Sequence, residues 1–335
     1  MNRRDKGDAT MTTDIKQAQT RRPNVLAIHS VDEFVFSVPD LSQAVNYYEN
    51  FGLVVVHESF KGQPALGLYT EHHTHRWGRV LQGGTKKRLQ WMTYGIYPED
   101  LEAFRAHLHN YGVEMIDPLD PECDKNASIW FKHPDGLPLQ IRVAEKTSPS
   151  GIFERVFPPA QADHGRAPNG AKVPFIRPSH LSHILMFTPH VNASEKFYKE
   201  VLGLRLSDSA GDDLIAFMHS PHGSDHHLIA LFTSTDYGLH HSSWAVRSID
   251  EVGLGMKQMA KAGYDKGWGV GRHVLGSNYF RYVRDPWGSY CEYSFDIDFI
   301  PHTLDWPTAN HPPEDSLYVW GPDLPEDFVH NYEIT

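Results

Sequence analysis

The sequence predicts an α+β protein of two tandem domains, each made of two βαβββ modules. Three observations carry this. A chain of 335 residues has room for about two domains with sizeable cores. Three pairs of segments recur at nearly constant spacing: Glu33 matches His183, Trp91 matches His241 and Gln140 matches Glu292, at offsets of 150, 150 and 152 residues. Within each half, strand-like runs and amphipathic helices alternate twice. A near-constant offset marks a duplication, and a repeat decides the architecture before any single element does.

The elements follow in order. Residues 1–24 are polar and lack an apolar run, which predicts a flexible tail and no secretory signal. VDEFVFSVPDLSQAVNYYENFGL, from Val31, matches LSHILMFTPHVNASEKFYKEVLGL, from Leu181; each predicts a strand, a turn at Pro39 or Pro189, and a helix closed by Gly52 or Gly203. QWMTYGIYPEDLEAFRAHLHNYGVE matches HSSWAVRSIDEVGLGMKQMAKAGYD, again strand then helix, ending at Gly112 or Gly263. Glycine takes the left-handed cap without a Cβ penalty. Asn192 with Glu195, and Ser248 with Glu251, have capping-box spacing. WFKHPDGLPLQIRV and RYVRDPWGSYCEYSF predict strand pairs around Pro-Asp-Gly and Asp-Pro-Trp-Gly turns. The domains are expected over residues 25–148 and 175–300, joined by a Pro- and Gly-rich linker over 149–174. Residues 301–335 mix prolines with Trp306, Tyr318, Trp320 and Phe328, which predicts an irregular arm anchored on the body, as packing or as a lid.

Composition narrows the function. The net charge of -11 disfavours nucleic acid and anionic membranes as partners, and no apolar run reaches the length that spans a bilayer. Cys123 and Cys291 cannot build a disulfide framework and suit a reducing cytoplasm, and Cys291 reads as packing. The 22 histidines invite a metal or proton-transfer reading without proving one.

The repeat sharpens that reading. In the second half the three aligned positions are His183, His241 and Glu292, each on a predicted strand whose alternation sends it to a common face. Two imidazoles and a carboxylate form the facial triad that holds non-haem Fe(II) and leaves the opposite coordination positions open. The first half offers Glu33, Trp91 and Gln140 instead. A tryptophan cannot ligate, so that copy is expected to be metal-free.

With His183 in LSHILMFTPHVNASEKFY, His241 in GLHHSSWAV and Glu292 in DPWGSYCEY, residues 25–300 resemble the type I extradiol ring-cleaving dioxygenases of the vicinal oxygen chelate superfamily. The resemblance implies curved, partly closed mixed sheets around the site, and a catechol whose ring is cleaved beside its two hydroxyls with O2 as co-substrate. It implies Fe(II), with Mn(II) also accommodated, and a place in aromatic-hydrocarbon catabolism in a cytoplasmic homo-oligomer. His227 in DHHLIALF falls 44 residues after His183 and 14 before His241, where the family carries its acid–base histidine. His273 and Tyr282 in GRHVLGSNYFRY resemble the histidine and tyrosine that stand beside the substrate oxygens.

The doublets His226/His227 and His240/His241 each leave a choice. Register with Val246 and the following helix favours His241, and strand alternation lets one of His226 and His227 face the open positions. His180, three residues before His183, is a competitor. Arg247, Arg281 and Arg284 are candidates for a substrate carboxylate, each with exposed strand charge as the alternative, and an apolar ring or alkyl substituent is the expected catechol decoration. Two rival functions stay open at this point: a glyoxalase-type isomerase, and a small-molecule-binding protein without turnover.

Overall fold

The computed structural model describes residues 20–71, 73–152, 167 and 169–334. The predicted tail up to residue 19 and most of the predicted linker lie outside the described residues. Thr20 to Arg22 are tied to the body: Tyr97 donates to the Thr20 carbonyl at 2.7 Å, and Arg21 pairs with Glu99 and Asp100.

The first half runs β1 (Ser30–Val38), α1 (Leu41–Phe51), β2 (Val54–Phe60), β3 (Gln63–Tyr69), β4 (Gly78–Gln82), then β5 (Arg88–Ile96), α2 (Leu101–Tyr111), β6 (Ser128–Lys132) and β7 (Pro138–Val143). Its second module departs from the expected βαβββ, because a single bridge between Met115 and Phe131 stands where the first of three strands would be. The second half repeats the pattern: β8 (His180–Thr188), α3 (Val191–Leu202), β9 (Arg205–Ala210), β10 (Ile215–His219), β11 (Ser224–Asp225), β12 (Ile229–Thr233), then β13 (Gly238–Ala245), α4 (Ile249–Lys261), β14 (Gly267–His273), β15 (Tyr279–Arg284) and β16 (Tyr290–Phe295). The arm adds β17 (Phe299–Ile300), β18 (Ala309–His311), α5 (Pro313–Ser316) and β19 (Tyr318–Trp320). No helix among the described residues is long and apolar enough to cross a membrane.

Most strands form one sheet per half, with matching orders, β2-β3-β4-β1-β5-β7-β6 and β18-β9-β10-β12-β8-β13-β16-β15-β14-β19, and β11 pairs with β17 in a separate two-stranded sheet. In both, the first strands of the two modules lie side by side and antiparallel, as β1–β5 and β8–β13, flanked by the parallel pairs β1–β4, β5–β7, β12–β8 and β13–β16. β1 and β8 are buried along their whole length, as strands enclosed on both faces are. The arm pairs with both rims of the larger sheet, β18 with β9 and β19 with β14.

One apolar core joins the halves, with Phe34, Tyr47 and Phe51 packed in a single cluster with Trp244 and Tyr293. Phe51 stacks on Tyr293 at 4.0 Å, and the Tyr47 and Tyr293 hydroxyls cross over to the carbonyls of Val283 and Phe51. The helix-closing glycines make a reciprocal contact. A Cβ on Gly52 (φ 103°) would sit 2.2 Å from the Ile176 carbonyl oxygen, and one on Gly203 (φ 72°) would sit 2.2 Å from that of Leu26. These contacts need both the left-handed conformation and the missing side chain.

The capping predictions fare differently. Ser248 accepts from the Glu251 amide at 3.2 Å, as expected. Asn192 does not cap: α3 starts one residue earlier, and the Asn192 amide donates to Asp213 at 2.6 Å, so a loop carboxylate satisfies the helix end instead.

Candidate metal centre

Strand alternation sorts the residues of the larger sheet into two sets. On β8, Ile184 and Met186 enter the core while His183 and Leu185 line a cavity. On β16, Cys291 and Tyr293 enter the core, and Glu292 points the other way. β8, β13 and β16 are adjacent, so His183, His241 and Glu292 converge, their ligating atoms all within 4.8 Å of one another. His183 Nε2 lies 3.2 Å and His241 Nε2 3.7 Å from Glu292 Oε2. All three side chains are buried.

His241 Nε2 and Glu292 Oε2 are buried without a hydrogen-bond partner among the described residues. Leaving two strong polar atoms unpaired in a dry interior costs about 1–3 kcal/mol each, unless something else satisfies them. Two nitrogens and an oxygen aimed at one point are the donor set of a divalent transition-metal ion. The residues fit such an ion.

The remaining atoms of the three side chains are tied down from behind. The residue before each central histidine bonds its Nδ1: Ser182 Oγ to His183 at 3.2 Å, His226 Nδ1 to His227 at 3.1 Å, and His240 Nδ1 to His241 at 2.7 Å. Ser182 donates its hydroxyl to Asp225, so it accepts from His183. His240 Nε2 is 2.8 Å from the Phe328 carbonyl, which can only accept, so the His240 proton sits on Nε2 and its bare Nδ1 accepts from His241. His241 Nε2 is thereby left with its lone pair free. Asn278 donates to Glu292 Oε1 at 3.1 Å.

Burial dominates the electrostatics. It pushes His240 down to about 4, and together with neighbouring imidazoles it holds His227 and His241 well below the ordinary histidine value. Burial would raise Glu292, but the adjacent His183 and His273 outweigh it and keep the carboxyl below its ordinary value. Burial and the Glu292 charge raise the Tyr282 phenol well above its usual range.

His227, His273 and Tyr282 complete the cavity wall around the three donors. The His227 ring lies 4.1 Å from that of His183, and Tyr282 is 2.9 Å from His273 Nε2. The Leu317 carbonyl fixes the His273 proton on Nδ1 at 2.8 Å, so Tyr282 donates. His226 and His227 do not lie on a strand, as expected from alternation, but on the irregular link between β11 and β12. A register shift between Leu239 and His241 opposite β8 lets His240 reach the cavity beside His241. His180 stays away from the triad, hydrogen-bonded to Ser179. Arg247, Arg281 and Arg284 are engaged by Glu251, by the carbonyls of Gly269 and Asp265, and by Asp327, and none lines the cavity.

Among the described residues, no Asp, Glu, Lys or Arg lines the cavity, which holds about 220 Å³. The sheet contributes apolar residues such as Phe217 and Phe232, and the arm supplies Pro313, Leu317, Leu324 and Phe328 opposite the donors. In the first half, the equivalent Glu33 is clasped by Arg76 (2.7 Å), Arg79 (3.4 Å) and Arg142 (3.5 Å), while Gln140 accepts from Thr93 and Trp91 packs on Trp130. Guanidinium groups there take up the carboxylate charge.

The chain is similar to known proteins. The model of the Glyoxalase/Bleomycin resistance protein/Dioxygenase superfamily matches residues 30–141 and 180–293. Metapyrocatechase 2 of Cupriavidus necator is 44% identical over 317 residues, covering 95% of this chain and 96% of that protein. An iron-dependent extradiol dioxygenase of Rhodococcus jostii is 29% identical over 192 residues, covering 52% of this chain and 61% of its own. An extradiol ring-cleaving dioxygenase from B. fuscum has the same fold, with a TM-score of 0.70 at 20% identity over 92% of this chain and 84% of that one. Duplicated modules, matched halves and near-full-length similarity agree that the chain belongs to this superfamily, and within it to the type I extradiol ring-cleaving dioxygenases.

Proposed function

We propose that His183, His241 and Glu292 hold Fe(II), or Mn(II) on the same donors, and that His227, His273 and Tyr282 act on a catechol whose ring is opened beside its hydroxyls with O2. The observation that carries this is the pair of buried, unpartnered atoms, His241 Nε2 and Glu292 Oε2, facing His183 Nε2. A ferrous ion there supplies Lewis acidity toward the catechol oxygens and a shared centre for catechol and dioxygen.

The chain's own residues supply the rest. His227 is neutral and lines the cavity beside His183, so it is suited to take a phenolic proton and return it later. Tyr282, whose proton goes to His273, presents its oxygen lone pairs to a substrate hydroxyl in a largely apolar chamber, where hydrogen bonds are strong because water is excluded. Asn278 keeps Glu292 Oε1 turned away from Oε2's task. An uncharged wall favours a catechol bearing an alkyl or aryl group over one bearing a carboxylate, whose charge would be stripped of water without a partner.

Anaerobic loading with Fe(II), followed by air and a panel of catechols, tests the reading. The expected result is a coloured ring-opened product, formed faster from alkyl- or aryl-catechols than from carboxylated ones. No product from any catechol, with iron bound, would refute it. His240→Ala is expected to weaken metal binding about 10–100-fold, as losing a group that orients a ligand does. Competition against a chromophoric chelator measures this, and unchanged affinity would mean that the His240 contact does not steer His241.

A further inference from the structure

The structure carries a second histidine behind His227, and a carboxylate behind that. His226 Nε2 lies 2.9 Å from Asp208 Oδ2, and its Nδ1 lies 3.1 Å from His227 Nδ1. Asp208, on β9, is buried, and three more donors converge on it, all from the arm: Trp306 Nε1 at 3.2 Å, the Ala309 amide at 3.2 Å and His311 Nε2 at 2.9 Å. Burial would raise this carboxyl, but the hydrogen bonds from His226, His311 and Trp306 outweigh it and hold Asp208 ionised.

We propose that Asp208 and His226 are positioning residues for His227, which make it a base at Nε2. This rests on the reading of His227 as the acid–base group. A contact between two Nδ1 atoms can run in either direction, and Asp208 decides it. A carboxylate only accepts, so a neutral His226 carries its proton on Nε2 and its Nδ1 is bare. His227 therefore donates from Nδ1. The nitrogen left for a substrate in the cavity that His227 lines is Nε2, with its lone pair free. When a catechol hydroxyl releases its proton, that proton forms a new N–H bond at His227 Nε2 and the hydroxyl O–H bond breaks. The imidazolium keeps its Nδ1–H toward His226, and the positive charge faces the Asp208 carboxylate across one ring. Return of the proton restores the starting state, with no net change in the three residues.

Asp208→Asn keeps the shape and reverses the logic. An amide can donate to His226 Nε2, so His226 can hold its proton on Nδ1 and give it to His227 Nδ1, which moves the His227 proton to Nε2 and blocks the base. The expected result is a protein that folds and retains iron, melting somewhat lower because the Trp306 N–H loses its acceptor, but whose kcat/KM for an unactivated catechol falls about 10²–10⁴-fold, the usual worth of acid–base catalysis. Anaerobically bound 4-nitrocatechol, whose colour reports its ionisation, should change from the doubly to the singly deprotonated form. A merely structural role would not move that spectrum. Unchanged spectrum and kcat/KM in iron-loaded Asp208→Asn would overturn the proposal. Where the variant fails to fold, the wild-type chain decides: with Zn(II) bound and histidine labelled with ¹⁵N, His227 should carry its proton on Nδ1, and a proton on Nε2 would overturn the proposal equally. If wild-type protein with iron opens no catechol, the reading of the site fails, whereas turnover with an unaltered Asp208→Asn variant defeats this inference alone.

Discussion

His241→Ala is expected to leave a chain that folds but does not retain iron. The substitution deletes one of three donors, so the loss of affinity should exceed the roughly 10–100-fold that follows removal of a group behind a ligand. Stability should suffer less than for most buried substitutions. The deleted ring carries a nitrogen with no hydrogen-bond partner, so its removal also relieves a desolvation cost. Metal content after dialysis, read beside the melting temperature, separates the two effects. Stoichiometric iron in a well-folded His241→Ala protein would mean that the triad is misassigned.

His227→Ala should give the opposite pattern: iron and catechol bind, and turnover falls about 10²–10⁴-fold. The pH profile adds a sign. Burial and neighbouring imidazoles hold His227 well below the ordinary histidine value of about 6.5, so the free base persists into mildly acidic solution. The acid limb of kcat/KM therefore lies below about pH 6.5 in the wild type, and the limb belonging to His227 is absent from His227→Ala. Equal loss of metal from both variants would show that His227 is a ligand rather than a base.

The duplicated halves and the convergent donors were legible because a repeat fixes register. Once Trp91 stands opposite His241, two histidines and a glutamate on buried strands have few reasons to exist except a ligand. The groups behind the donors were not legible. His226 and His240 appeared as rivals of His227 and His241, when their adjacency was itself the clue: each bonds the Nδ1 of the residue it competed with. Asp208 was not legible as a partner of His226, because the contact depends on how β9, β10 and the link before β12 fold back on one another, and the arm returns about a hundred residues later to bring Trp306 and His311 to the same carboxylate. The bulge at His240 and the cap that Asp213 supplies to α3 are tertiary in the same sense.

The arm meets the donors in two different currencies. Its side chains, Leu317, Leu324 and Phe328 among them, shape the cavity wall. Its backbone carbonyls at Leu317 and Phe328 set the protons of His273 and His240. Any residue at those two positions presents a carbonyl. The wall can therefore be recut for a differently decorated catechol by side-chain changes alone, while the proton arrangement around the three donors stays as it was. Substrate range and metal chemistry are written in separate parts of the same peptide.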